Sequence, residues 1–311
     1  MVKCLLCEGE YEDDSSLHRH LKIHKLRIFE YYQSAYPRHD RFDGSMILFK
    51  NKKQYFESDF NSAKNMRLWL DKQTPEDRYG YLRGLLIKRR NEKGIINAPC
   101  QVELRSLKIP GIHYFNQVFG SYYNLTKELG FRNRHSIGKE LVASDIFKSS
   151  DAKILVDSRE QTPLKMGCPS EVQGLKFGDY SFFDAEKAGN VFVERKSLND
   201  FIGTLSNGFE RFEREIIRAK EAKAYLVILV EEGLSNVIRF NVMDQIARIG
   251  MKVTPEYVFH NVRDLIQRHH HIQFLFVKDR VEAADMILKL FSYGEQIKKI
   301  DLQLAYDEGR L

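Results

Sequence analysis

Three short acidic and basic clusters fall between positions 154 and 200: Asp157-Ser158-Arg159-Glu160, Gly178-Asp179-Tyr180, and Glu194-Arg195-Lys196-Ser197-Leu198-Asn199-Asp200. Together they have the residue types of a metal-dependent phosphodiesterase. Cleaving a phosphodiester requires a nucleophilic water, stabilised charge on the phosphorus centre and a neutralised leaving oxygen, and a carboxylate-held cation serves all three. Val191-Phe192-Val193 leads directly into Glu194. Strand periodicity therefore puts Glu194 and Lys196 on one face and Arg195 on the other. Asp179 ends the run 175–179, and pairing of that run with the Glu194 strand would set two carboxylates around a hard cation such as magnesium. Lys196 is expected to orient the attacking water or offset phosphate charge. Asp157 ends the apolar run Ile154-Leu155-Val156 and is expected to join Asp179 and Glu194 at the metal, with Glu160 near enough to share the metal or its water shell. Arg159 and Arg195 are expected to meet phosphate.

Plainer readings of the same residues remain open. Ser197-x-x-Asp200 also fits a capping box that opens a helix, so Asp200 either supports the site or only caps. Asp157 and Glu160 also fit a solvated turn before Pro163.

In this order, the strand-end Asp-x-Arg-Glu, the Gly-Asp and the Glu-Arg-Lys-x-x-x-Asp resemble the nuclease domain of the XPF family, within the wider PD-(D/E)XK nucleases. The resemblance runs over 153–292, including Asp200-Phe201-Ile202 and Asn207-Gly208. It implies a restriction-endonuclease-like mixed sheet flanked by helices, and magnesium- or manganese-dependent cutting of DNA, commonly at branches, by domains that pair as a homodimer. Cellular members usually carry tandem helix-hairpin-helix units after this domain, and too few residues follow Tyr293 for them. Engagement of DNA is then expected from elsewhere in the chain.

A second metal signal lies at the amino terminus. Cys4-x2-Cys7-x12-His20-x3-His24 has Cys2His2 zinc-finger spacing, with Tyr11 and Leu17 at the apolar positions of such a ββα unit. His20 and His24, four apart on a helix, face the same way and close a tetrahedral site with two thiolates. About 25 residues bury too little core to fold alone, so metal binding must supply most of the folding free energy. His18 falls on another face. By analogy with DNA-reading fingers the base-contacting positions are Asp13, Ser16 and Arg19, of which Arg19 alone is a good base reader. A DNA-reading finger and a structural or protein-contact finger are both compatible with this.

The elements that must position these residues divide the chain into a finger over 1–25, a basic and mainly helical module over 26–150, a nuclease domain over 151–300 and a tail over 301–311. The carboxyl half reads as strands over 153–157, 173–183, 190–195, 224–231 and 272–277, with helices over 198–222, 255–268 and 280–297. That is a mixed α/β pattern. Segment 232–254 is hard to place, and 144–150 reads as a connection. The triplet His269-His270-His271 lacks liganding spacing and is expected to stabilise a helix end.

Charge is uneven. Residues 1–150 hold 26 Lys and Arg against 18 Asp and Glu, whereas 151–311 hold 23 against 25. The basic excess, including Lys88-Arg89-Arg90 and Arg132-x-Arg134, suits phosphate neutralisation, so these five residues are expected to bind DNA. The segment 118–131 resembles the short helical repeats found beside homing endonuclease domains. A plain helix with a glycine cap at Gly130 fits as well.

No apolar run is long enough to span a bilayer. With four cysteines, two of them assigned to zinc, and no secretory signal, the chain is expected inside the cell, in the cytoplasm of a prokaryotic or phage-infected cell or in a nucleus. No Gly-x4-Gly-Lys-Ser/Thr loop occurs, which argues against a fused helicase motor. The expected function is a metal-dependent DNA endonuclease directed by the finger and basic module, with mobile-element or phage-type targeting slightly ahead of branch recognition. A non-cutting DNA-binding partner that positions DNA for another nuclease subunit is the main alternative, and RNA processing a weaker one.

Overall fold

The computed structural model describes residues 1–135, 141–143, 152–184, 187–243, 246 and 253–311. The expected connection over 144–150 lies outside these residues. Contacts divide the chain into two compact units, 1–82 with 108–110, and 83–107 with 111–311. The boundary falls inside the segment read as one module, and residues 83–107 and 111–135 group with the sheet.

In the first unit, β1 (Val2–Lys3) pairs antiparallel with β2 (Glu10–Tyr11), followed by helix Asp14–His20. Asp13 caps this helix by accepting the Ser16 N–H at 2.7 Å. Cys4, Leu17 and Leu21 share one core with Tyr31, Tyr32, Ile47, Phe49 and Tyr55. The ββα element is therefore packed against helix Ile28–Ala35 rather than free-standing. Polar contacts join the same surfaces: Tyr31 Oη accepts the Leu5 N–H at 3.0 Å, and His18 Nε2 lies 2.9 Å from Tyr32 Oη.

The second unit is a mixed α/β layer structure of the restriction-endonuclease-like type. Its strands are β3 (Lys153–Asp157), β4 (Ser170–Gln173), β5 (Tyr180–Asp184), β6 (Lys187–Ala188), β7 (Val191–Lys196), β8 (Tyr225–Val230) and β9 (Ile272–Phe276). The order is β4-β3-β5-β7-β8-β9, with β6 paired to β5. β7, β8 and β9 run parallel, while β5 is antiparallel to both β3 and β7. β8 is buried along its whole length and is a continuous apolar run, as a strand covered on both faces must be.

Alternation divides the sheet side chains cleanly. Val191, Val193, Val227 and Leu229 face a core shared with helix Arg280–Tyr293, and Leu226, Ile228, Val230 and Phe274 face helices Leu198–Thr204, Phe209–Glu221 and Pro255–Arg268. Residues 301–311 are more than a tail. Leu302 and Ala305 of helix Leu302–Asp307 are fully buried in the first of these cores, and Gln303 Oε1 accepts the Phe276 N–H at 2.8 Å.

Three expectations need adjustment. The run over 173–183 is two strands, separated by a bend that contains Gly178 with φ +61°. The helix over 198–222 breaks at 205–208, and the segment 118–131 holds the end of helix Ile112–Phe119 and a separate helix Tyr122–Glu128. Gly130 ends the latter at φ +77°, with Phe131 N–H donating to the Thr126 carbonyl at 2.9 Å, a glycine cap with an apolar follower. Within 232–254, the described residues hold helix Leu234–Val237 and the 3-10 turn Phe240–Val242.

Candidate active site and metal centres

Gly178 shapes the approach of Asp179 to β7. A β-carbon at Gly178 would lie 2.8 Å from the Val193 carbonyl oxygen, and its positive φ suits glycine. The next residue donates its N–H to that same carbonyl at 2.8 Å, and the Asp179 side chain accepts the Arg195 N–H at 2.8 Å. Asp179 is thus fixed beside Glu194 through backbone bonds on both sides. Glu194 and Lys196 project together from one face of β7, with Lys196 Nζ 2.5 Å from Glu194 Oε1 and 5.8 Å from the centre of the Phe212 ring.

The electrostatics of this cluster are those of an acid pair short of positive charge. Burial, then the charge of Glu194, pushes the Asp179 carboxyl up to about 7. Burial favours neutral Lys196, yet Glu194 and then Asp179 and Glu215 hold its ammonium above the usual range. Glu215, on helix Phe209–Glu221, is itself raised by burial and by Glu194. Sequence reading missed Glu215.

Asp157 is placed differently. Its two oxygens accept four hydrogen bonds, from the Arg159 N–H, Nε and Nη2 and from the Leu175 N–H, at 2.7 to 3.0 Å. That fills the acceptor positions of a carboxylate. Although burial raises it, these partners, Arg159 foremost, hold the Asp157 carboxyl below its usual range. Glu160 likewise turns to protein: it accepts from Arg195 Nη2 at 3.0 Å and from the Thr162 N–H at 2.8 Å. Arg195, on the far face of β7 from Glu194, lies between Glu160 and Glu231, 2.9 Å from the latter. Glu231, also missed in the sequence, follows β8 as Asp157 ends β3. Asp200 donates its N–H to Ser197 Oγ at 3.2 Å and accepts the Ser197 hydroxyl at 2.6 Å, the capping arrangement.

At the amino terminus, Cys4, Cys7, His20 and His24 bring one ligand atom each to within 4.8 Å of all the others. Cys7 Sγ is 3.1 Å from His20 Nε2, and His20 Nε2 is 3.0 Å from His24 Nε2. This is the donor set and spacing of a tetrahedral zinc site, and among the described residues no other group of three or more such ligands converges in this way. Burial raises the Cys4 thiol, but the N–H groups of Leu6 and Cys7 outweigh it and bring the thiol below its usual value. Arg19 is exposed and 3.2 Å from Ser16 Oγ.

The remaining basic residues separate by environment. Arg134 donates to the carbonyls of Ile266, His269 and Ile272, and Arg90 to that of Leu129. Both cap carbonyl groups within the second unit. Lys88 sits 3.9 Å from Glu92, and Arg89 and Arg132 line a cleft with helix Pro255–Arg268. Arg159 keeps an exposed side chain despite its bonds to Asp157. Among the described residues no helix is long and apolar enough to cross a membrane.

In comparison with known proteins, residues 156–290 match the model of the ERCC4 domain. The match lies within the 153–292 segment that resembles XPF nucleases. Among solved structures, the chain is similar to XPF from Aeropyrum pernix at 19% identity and a TM-score of 0.34, covering 47% of this chain and 68% of that one. It is similar to the same protein in complex with DNA at 22% identity and a TM-score of 0.32, covering 45% and 64%. Comparison with curated proteins gives no significant match.

Proposed function

We propose that the chain is a metal-dependent DNA endonuclease whose site is Asp179, Glu194 and Lys196. The observation that carries this reading is the pair of buried Glu194 and half-buried Asp179, the latter pushed up to about 7, beside an ammonium that remains charged. Two hard oxygen donors that repel each other fit magnesium or manganese, and Asp179 and Glu194 would hold it. Such an ion supplies Lewis-acid stabilisation of phosphate charge. Lys196 contributes a fixed cation on the same face, to orient the nucleophilic water and offset charge on the scissile phosphate. Asp157 holds Arg159, whose exposed guanidinium meets a phosphate, and Glu160 with Glu231 anchors Arg195 so that its backbone N–H stays on Asp179.

The Cys2His2 group holds zinc in this reading. With its DNA-facing positions partly spent on capping, through Asp13 and Ser16, the finger serves chiefly to complete the core of the first unit. Targeting then rests on the whole basic half, and two copies pair through the nuclease domain.

The test is cleavage of defined linear, flap and fork DNA with magnesium by purified protein. Lys196→Ala and Asp179→Asn are expected to lower the rate by about 10²-fold or more while DNA affinity holds. Undiminished cutting by both variants overturns the site, and cutting of RNA in preference to DNA overturns the substrate.

A further inference from the structure

The second unit holds an open cleft of about 330 Å³, formed by the end of helix Pro75–Lys93, the segment 94–97 after it, Arg132 and helix Pro255–Arg268. Five permanent cations line it, Arg89, Lys93, Arg132, Arg263 and Arg268, against the single carboxylate of Asp264. Arg268 is committed to Asp264 and Glu213, and Arg263 donates to Ser106 Oγ at 3.0 Å. Lys93 and Arg132 are exposed and have no ion-pair partner among the described residues. His270 also lines the cleft, and burial, then the charges of Arg134 and Arg132, holds its imidazole below the usual value.

We propose that this cleft is a second phosphate site, which grips the backbone of the DNA away from the point of cutting. The proposal rests on the nuclease reading for the identity of the polymer, but not for the site itself. No Phe, Tyr or Trp lines the cleft, its apolar lining is essentially two isoleucines, and the five cations outnumber its two imidazole rings, His260 and His270, so phosphate recognition outweighs base stacking. The wall of the cleft, helix Pro255–Arg268, packs on the sheet face from which Glu194 and Lys196 project. Its last turn leads into the start of β9, and Ile272 there pairs through Leu226 with Phe192 on β7, two residues before Glu194. The grip draws residues from 89 to 132 and from 260 to 270, so it supplies the nuclease sheet with basic surface.

The experiment measures equilibrium binding of the full chain to a defined DNA duplex, without added magnesium so that no cutting enters the readout, over a range of salt concentrations. The double variant Lys93→Gln/Arg132→Gln is expected to bind about tenfold or more weakly at low salt, with the slope of log K against log salt shallower by about two, near 0.9 for each phosphate that is no longer neutralised. Lys93→Arg/Arg132→Lys is expected to retain both. A double variant with unchanged affinity and slope, its fold verified by thermal melting, overturns the cleft. So does a wild-type cleft that binds ATP while DNA fails to compete. If the slope changes as expected but the wild type never cuts DNA with magnesium, the cleft stands and the nuclease reading falls.

Discussion

Arg195 and Gly178 show how single residues hold the carboxylate pair from behind. Arg195 is nearly enclosed between Glu160 and Glu231, each itself under a tenth exposed. Removing one partner of a buried ion pair leaves uncompensated charge, so Arg195→Met is expected to destabilise the protein by about 3–5 kcal/mol. A urea midpoint unchanged from wild type would show that the triad contributes nothing to the fold. Gly178→Ala meets both a positive φ and the Val193 carbonyl at 2.8 Å. We expect a loss of about 1–3 kcal/mol, and a drop in cutting rate as Asp179 moves off the Arg195 N–H. Ala tolerated at 178 with full activity would contradict the placement of Asp179. The ammonium and acid of Glu194-Arg195-Lys196 were legible from period two alone. Glu215 and Glu231 were not, because each reaches the site from a separate element and has no local signature.

Among the elements, the finger and the helix end at His269 make separate predictions. The finger shares its core with Tyr31 and Tyr32, so Cys7→Ser or zinc chelation is expected to speed amide exchange in helix Ile28–Ala35 as well as in the finger. Exchange confined to residues before Leu26 would mean that the two fold independently. His269, His270 and His271 all have depressed values, burial first in each case. A depressed folded value gives stability that is present above the ordinary histidine range and lost as pH falls through the folded values. Stability measured by urea should therefore decline on acidification from neutral, with a shallower decline in His269→Gln. A slope identical in that variant removes His269 from the effect. The strands β3, β8 and β9 were readable because an apolar run in a sheet covered on both faces has little freedom. The bend over 174–179 and the break at 205–208 were not, since there a glycine conformation and packing override the apolar pattern.

Across the whole molecule, a basic amino-terminal half accompanies a sheet that carries the Asp179 and Glu194 carboxylates. The ERCC4 match spans residues 156–290, and the proposed cleft joins Arg263 and Arg268 inside that span to Lys93 and Arg132 outside it. On the proposed reading zinc belongs to the fold of the first unit and magnesium to the chemistry of the second. Chelation that strips zinc should therefore weaken targeting, yet leave any residual cutting dependent on added magnesium. The central claim is tested most directly by single-turnover cleavage of a defined DNA by wild type and Asp179→Asn, with and without magnesium. The account predicts cutting only by wild type with magnesium present, with equal DNA binding by both proteins. Metal-independent cutting, or an Asp179→Asn variant as fast as wild type, would contradict it.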